Sequence, residues 1–236
     1  MAVSFKPAVI STLFLAMTLS VGAASANALT EGFDSGVPTG WTVVNNSVPL
    51  GVTAWFQGNP TVFTSQQGAA NSYLGSNFNN GAGLADISDW LILPTSTYHN
   101  GDTLSFYTRT ATDSPYPDRL EVRFSNVGGA NVGHSASSVG TFSSLLLSVN
   151  NDQDVGGYPE EWTKYSVTLS GLSGATNGAF AFRYSVTDGG PAGDNSNYIG
   201  LDTVSISAVP EPSTYLMLGA GLGLVGLARK RKAKAA

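Results

Sequence analysis

The feature that most limits what this chain can fold into is a two-residue alternation of apolar and polar side chains, repeated along most of its length. Across residues 119–124, Leu120, Val122 and Phe124 fall on one face and Arg119, Glu121 and Arg123 on the other. Successive side chains of a strand point to opposite faces, so the pattern marks a strand with one buried side. Residues 164–169 repeat it with Tyr165, Val167 and Leu169 inward, 179–187 with Phe180, Phe182, Tyr184 and Val186, and 103–109 with Leu104 and Phe106. Residues 41–44, 54–57, 72–74, 90–93, 144–148 and 198–206 complete a set of about ten strands. Turn chemistry separates them at Gly36-Val37-Pro38, Gly58-Asn59-Pro60, Asn100-Gly101-Asp102, Gly128-Gly129, Gly156-Gly157 and Asp188-Gly189-Gly190-Pro191. No convincing amphipathic helix interrupts the series. Many strands without crossover helices predict an all-β fold, an antiparallel β-sandwich of the jelly-roll kind.

The last of these strands carries a finer signal. Ile199 and Leu201 share one phase, Val204 and Ile206 the other. A strand cannot change faces without an extra residue, so a bulge is expected at Asp202-Thr203, and bulges re-aim side chains such as that of Asp202. Residues 130–144 are low in complexity and read as a mobile loop. Residues 150–161 and 188–197 read as long acidic or Gly-rich loops, the places on a rigid sandwich where binding would sit.

Both ends of the chain read as addresses rather than as fold. Lys6, an apolar core over residues 8–21 and the small residues Ala24-Ser25-Ala26 make a secretory signal peptide, residues 1–26, with cleavage after Ala26 or alternatively Ala28. At the other end come Val209-Pro210-Glu211-Pro212-Ser213-Thr214, an apolar run over 215–228 and the basic cluster Arg229-Lys230-Arg231-Lys232-Ala233-Lys234. The run is 14 residues long, against the roughly 20 that a membrane-spanning helix needs. Gly219, Gly221, Gly223 and Gly226 weaken it further as a helix. The cationic cluster would hold its end at the cytoplasmic face. A short C-terminal hydrophobic helix is expected, able to pause in a membrane as a transient transmembrane segment but poorly built to stay.

Charge bounds the partners of what lies between. Residues 27–209 hold five basic and fifteen acidic side chains, a net charge of −10. Such a surface argues against nucleic acid and anionic lipid, and favours divalent cations or neutral sugars. The chain has no cysteine, which excludes thiol chemistry, zinc–thiolate sites and iron–sulfur clusters. Its stability must come from its core and any bound metal.

The C-terminal tripartite arrangement resembles the PEP-CTERM sorting signal, whose motif here is Val209, Pro210, Glu211 and Pro212. The resemblance implies a Gram-negative bacterium that makes extracellular polysaccharide. It also implies export by the secretion machinery, transient retention at the inner membrane, and processing by an exosortase that releases or re-anchors the protein at the outer surface. A second resemblance covers residues 30–207. Glu31-Gly32-Phe33-Asp34, Pro38-Thr39-Gly40-Trp41, Trp55-Phe56-Gln57-Gly58-Asn59, Asp89-Trp90-Leu91-Ile92-Leu93-Pro94, Gly101-Asp102-Thr103-Leu104-Ser105-Phe106, Pro115-Tyr116-Pro117-Asp118-Arg119-Leu120-Glu121-Val122 and Tyr198-Ile199-Gly200-Leu201-Asp202-Thr203-Val204 follow in that order. This looks like the choice-of-anchor J domain, a relative of cleaved-adhesin and MAM-like jelly rolls. It implies one jelly-roll domain over 27–208, followed by the sorting signal over 209–236. Members of the wider adhesin group carry structural calcium where the first and last strands meet, which makes Glu31, Asp34 and Asp202 the candidate ligands. The alternative is that Asp34 caps the turn at Asp34-Ser35-Gly36 and Glu31 is simply solvated.

Catalytic chemistry is sparse. The two histidines, His99 and His134, stand in a turn and in a Gly/Ser-rich stretch. Gly133-His134-Ser135-Ala136-Ser137 lacks the final glycine of a nucleophile elbow and the strand and helix that should flank it. Asp152/Asp154 and Glu160/Glu161 are the visible acid pairs for a glycosidase, and neighbouring acids in an acidic loop are usually solvated. Trp90, Trp41 and Trp55 read as core. Tyr116, Tyr158 and Trp162, in or beside loops, are the candidates for an exposed glycan-binding platform, and Asp118 beside Arg119 reads as an ion pair at a strand edge. These readings point to a non-enzymatic protein of the extracellular polysaccharide or biofilm matrix with a role in adhesion. A carbohydrate-binding module is the first alternative and a glycan-active hydrolase the second.

Overall fold

The computed structural model describes residues 28–209. The expected signal peptide and nearly all of the sorting signal, including the 215–228 run, lie outside the described residues. Among those described, no helix is long and apolar enough to cross a membrane.

The strands are β1 (Leu29–Glu31), β2 (Thr42–Asn45), β3 (Val48–Leu50), β4 (Phe56–Gln57), β5 (Leu74–Asn77), β6 (Gly81–Ile92), β7 (Ser96–Tyr98), β8 (Thr103–Thr110), β9 (Leu120–Ser125), β10 (Ser144–Val149), β11 (Thr163–Thr168), β12 (Thr176–Gly189) and β13 (Tyr198–Ser207). One turn of 3-10 helix, Phe78–Asn80, precedes β6. One sheet has the order β11-β8-β13-β5-β4, with β1 also on β13. The other runs β10-β9-β12-β6-β2, with β3 along β6 and β7 along β12. All the pairings described are antiparallel. The fold is the expected antiparallel β-sandwich, and each of the ten expected strands overlaps an observed one, that of 54–57 only at Phe56–Gln57 and that of 72–74 only at Leu74, where β5 begins. The alternation missed β1, β3 and β7, which are only three residues each. It also missed the part of β6 before Trp90, which opens with Gly-Ala-Gly-Leu-Ala and carries little apolar bulk there.

The main core lies between the sheets, where Phe106, Phe180, Phe182, Tyr184, Leu201 and Val204 are buried. These are the inward faces that the alternation marks. Phe106 and Phe182 meet edge to face across the two sheets at 4.9 Å between ring centres. The β13 bulge is where it was expected. The register of β13 against β8 shifts between Asp202 and Ser205, and Thr203 adopts φ 48°. Ile199, Leu201, Val204 and Ile206 all point inward as a result. The bulge also marks a change of partner, since β5 pairs with β13 before it and β1 after it.

Two smaller apolar layers sit outside the sheets. Phe63, Tyr73 and Tyr198, with Phe56 and Trp162 beside them, cover the outer face of the β8–β13 sheet. On the other sheet, Trp90, Ile92, Ala179 and Ala181 face outward and are roofed by Val132 and Phe142. This corrects the reading of 130–144 as a mobile loop. Val132 and Phe142 are buried, and the segment's carbonyls are held by side chains of the sheet below. Arg123 Nη1 donates to Phe142 O at 3.3 Å, Asn46 Nδ2 to Gly133 O at 3.0 Å, and Arg183 to Ala136 O. Low complexity concealed the two apolar anchors that decide where the segment lies.

Candidate functional site

Three loops meet at one end of the sandwich: the β8–β9 loop with Tyr116, the β10–β11 loop with Asp154 and Glu160, and the β12–β13 loop with Pro191 and Asn197. They meet because β8 ends and β13 begins side by side, with Thr110 opposite Ile199. An open cleft of about 190 Å³ is lined by Phe78, Tyr116, Pro191, Ser196 and Asn197. Beside it a crevice of about 10 Å³ is bounded by Ser114, Tyr116, Asp118, Asp154 and Glu160. Tyr116 stands between the two and is 48% exposed.

Asp118 ties these loops together. It is fully buried. Its Oδ1 accepts from Tyr184 Oη at 2.5 Å and Asn197 N at 2.8 Å, and its Oδ2 from Thr110 Oγ1 at 2.6 Å. Burial pushes its carboxyl above the usual carboxylate range, against the pull of those donors. Asn150 Nδ2 donates to Asp118 O, Ser196 N to Pro117 O, and Asn197 Nδ2 to Ser114 Oγ. The β8–β9 loop is thereby tied to both of its neighbours before any ligand arrives. The expected ion pair of Asp118 with Arg119 does not form. The Arg119 guanidinium points the other way, to Ser185 O and Ser185 Oγ. Adjacent residues on an extended chain face opposite sides, and here one side is core.

The three aromatic candidates do not form one platform. Tyr116 is exposed. Tyr158 is 3% exposed and belongs to the main core, where its hydroxyl shares a hydrogen bond of 2.6 Å with Thr108 Oγ1. Its place at the surface is therefore corrected: the loop dips and uses the ring as an apolar anchor. Trp162 is half-buried on the other sheet's outer layer, edge-on to Phe63 and Tyr73, with Nε1 donating to Thr64 O at 2.8 Å. It lies over Gly200, where a Cβ would come within 2.7 Å of its ring and of Phe63. Trp90 and Trp55 are core as expected, and Trp41 packs against the core edge.

At the bulge midway along β13, Glu31 and Asp34 line a cleft of about 210 Å³ with Gly32, Gln67, Gly68 and Thr203. Glu31 Oε1 accepts from Phe33 N at 2.7 Å. Asp202 lies behind it, fully buried and spent on backbone donors. Oδ2 accepts from Gln66 N at 2.8 Å and Gln67 N at 3.2 Å, and Oδ1 from Thr203 N at 2.6 Å. Burial raises its pKa to about 6 despite these bonds. Calcium takes about six to eight oxygens, and the described residues contain no cluster of three or more acidic or imidazole groups placed to hold a metal. The Glu31, Asp34 and Asp202 set does not fit a calcium site as arranged: Asp202 secures the 66–67 loop to the bulge instead.

Among the acid pairs, Asp152 and Asp154 are exposed on their loop. Asp118 has the raised pKa of a general acid, but it is sealed beneath three donors and no substrate oxygen can reach it.

Comparison with known proteins places the molecule in a class: an exported β-sandwich carrying a sorting signal. Residues 208–232 match the PEP-CTERM protein-sorting motif. This signal indicates export to the cell surface of a Gram-negative bacterium by way of the membrane. Among solved structures, the chain is similar to the K1 cleaved adhesin domain of Lys-gingipain from Porphyromonas gingivalis W83, at 22% identity and a TM-score of 0.54, covering 78% of this chain and 99% of that one. It is also similar to the K3 cleaved adhesin domain of the same protein, at 22% identity and a TM-score of 0.52, covering 77% of this chain and 98% of that one. At this identity the likeness concerns the fold. No curated protein sequence matches the chain.

Proposed function

We propose that the exported domain is a non-enzymatic binding protein of the extracellular polysaccharide matrix, engaging its ligand through the Tyr116 cleft. The observation that carries this reading is an exposed aromatic ring set between three loops that Asp118 ties together through its buried carboxyl and its main-chain carbonyl. An aromatic face that needs no reordering binds a sugar ring at low entropic cost. The cleft's Ser196 and Asn197 supply polar groups, and no cation lines it. That composition suits a neutral sugar rather than an acidic one. The domain's own charge of −10 would likewise repel acidic glycans. An adhesive role in a biofilm and binding as a carbohydrate module share this surface. They differ only in whether the partner is a matrix polymer or another cell's glycan.

A glycan-hydrolysing role would need two opposed carboxyl groups open to substrate. Asp118 is closed off, leaving Asp154 and Glu160 beside a crevice too small for a sugar ring. The test is a glycan array on purified protein, with calcium and with chelator, repeated with Tyr116→Ala. Binding to defined neutral glycans that Tyr116→Ala removes is expected. A blank array from folded protein, or binding that survives the substitution, overturns the assignment of the cleft.

A further inference from the structure

The sandwich ends where the sorting motif begins, and it holds that junction. Asp102, at the start of β8, is fully buried. Its Oδ1 accepts a hydrogen bond from Val209 N at 3.1 Å, and its Oδ2 caps the preceding turn by accepting from His99 N at 2.8 Å. The Val209 side chain seats against Gly101, whose φ is +96°. A Cβ there would lie 2.7 Å from Val209 Cγ2. The turn is braced from the far side. Gly101 N donates to Leu169 O and Leu169 N to Asp102 O, both at 2.8 Å. Asn100 exchanges two bonds with the backbone of Leu172, at 2.7 and 2.8 Å. This braced turn thus holds the amide of the residue that directly precedes Pro210-Glu211-Pro212, while the Val209 side chain lies against Gly101 and stays 48% exposed.

We propose that this notch of Gly101 and Asp102 is a brake on maturation: the folded domain retains the first residue of its own sorting motif, and the membrane-bound processing enzyme must draw Val209 out before it can act. Proteases take their substrates as extended, undocked chain, so a docked segment is processed only through the fraction of molecules in which it has opened locally. A hydrogen bond to a buried carboxylate makes that fraction small. The two parts of the notch act on different atoms, which lets them be tested separately.

The experiment follows processing of the pulse-labelled full chain in its native host. It compares wild type with Asp102→Ala, with Gly101→Ala, and with a five-residue Gly/Ser insertion ending in Val placed after Val209. The insertion leaves Val209 docked and restores a free Val-Pro-Glu-Pro beyond it. Hydrogen exchange at the Val209 amide and a melting curve on each purified protein separate loss of the clasp from loss of the fold. Opening the clasp is expected to speed processing about tenfold in Asp102→Ala, in line with the loss of one charge-assisted bond, and the insertion should match it without any change in melting. Should Asp102→Ala fail to fold, the insertion decides alone. Processing of the insertion variant at the wild-type rate, or slower, overturns the proposal.

Discussion

Replacing Asp118 with Ala is the sharpest test of how the loop end is held. The substitution leaves Tyr184 Oη without its acceptor in the closed interior and Asn197 N without its acceptor at the half-buried edge of the cleft, while Thr110 Oγ1 can fall back on Tyr198 O at 3.0 Å. Each orphaned buried donor costs about 1–3 kcal/mol. The vacated volume adds to this, and removing a carboxyl that burial already disfavours returns part of it. The balance is a loss of about 3–4 kcal/mol. For a domain of this size that lowers the melting midpoint by roughly 6–16 °C. Asp118→Asn keeps an acceptor for Tyr184 and Asn197, and its amide can donate to Thr110 once that hydroxyl turns to Tyr198 O. It should cost less than about 1 kcal/mol. The assay is urea unfolding followed by tryptophan fluorescence, with Tyr184→Phe added to complete a double-mutant cycle. A coupling of about 1–2 kcal/mol between Asp118 and Tyr184 is expected. The reasoning is refuted if Asp118→Ala loses less than about 1 kcal/mol, or if the Asn and Ala variants are equally unstable.

Three further outcomes follow from the same geometry. Because burial raises Asp202 to about 6, the folded state holds that proton more tightly than the unfolded chain, so its contribution to stability grows as pH falls. Asp89 and Asp118, also raised by burial, act in the same direction. Burial would raise Glu121 as well, but Arg123 and Arg183 prevail and hold it below its usual value, so its contribution is lost only in stronger acid. Between about pH 7 and pH 5 the domain should gain up to about 1 kcal/mol from Asp202, since the full ceiling of about 3 is reached only below the unfolded carboxyl's pKa and water in the adjoining cleft lowers both figures. Chemical unfolding across that range checks it, and Asp202→Asn should flatten the slope. Phe142→Ala should cost about 3 kcal/mol and open residues 130–144 to limited proteolysis while the sheets stay folded. A variant as resistant as wild type would mean that the roof is held by its polar bonds alone. Calcium and chelator are expected to give the same melting curve, since Asp202 is engaged with N–H donors. A calcium-dependent rise that Asp202→Ala abolishes would show that those donors yield to the metal.

Local periodicity determined much of this protein. Alternation marks which side of a strand is buried, and that property belongs to the strand itself. It placed Leu120, Val122, Phe124, Phe180, Phe182 and Tyr184 in the core, and the phase change after Leu201 located the bulge beside Asp202. The C-terminal address was equally legible, because a sorting signal is read as linear sequence. What only the tertiary structure decided lies on the outer faces and at the loop end. Asp118 meets Tyr184, 66 residues away, and Asn197, 79 away; nothing in Pro117-Asp118-Arg119 distinguishes a buried hub from a surface ion pair. Tyr158 lies in a polar loop by sequence and in the core by structure, because the loop's path depends on where β10 and β11 stand in different sheets. Val132 and Phe142 look incidental within a Gly/Ser stretch until Trp90 and Ala181 offer them a surface. Alternation is fixed by geometry within one strand, whereas these contacts depend on which strands become neighbours, and that is settled only when both sheets close on the shared core.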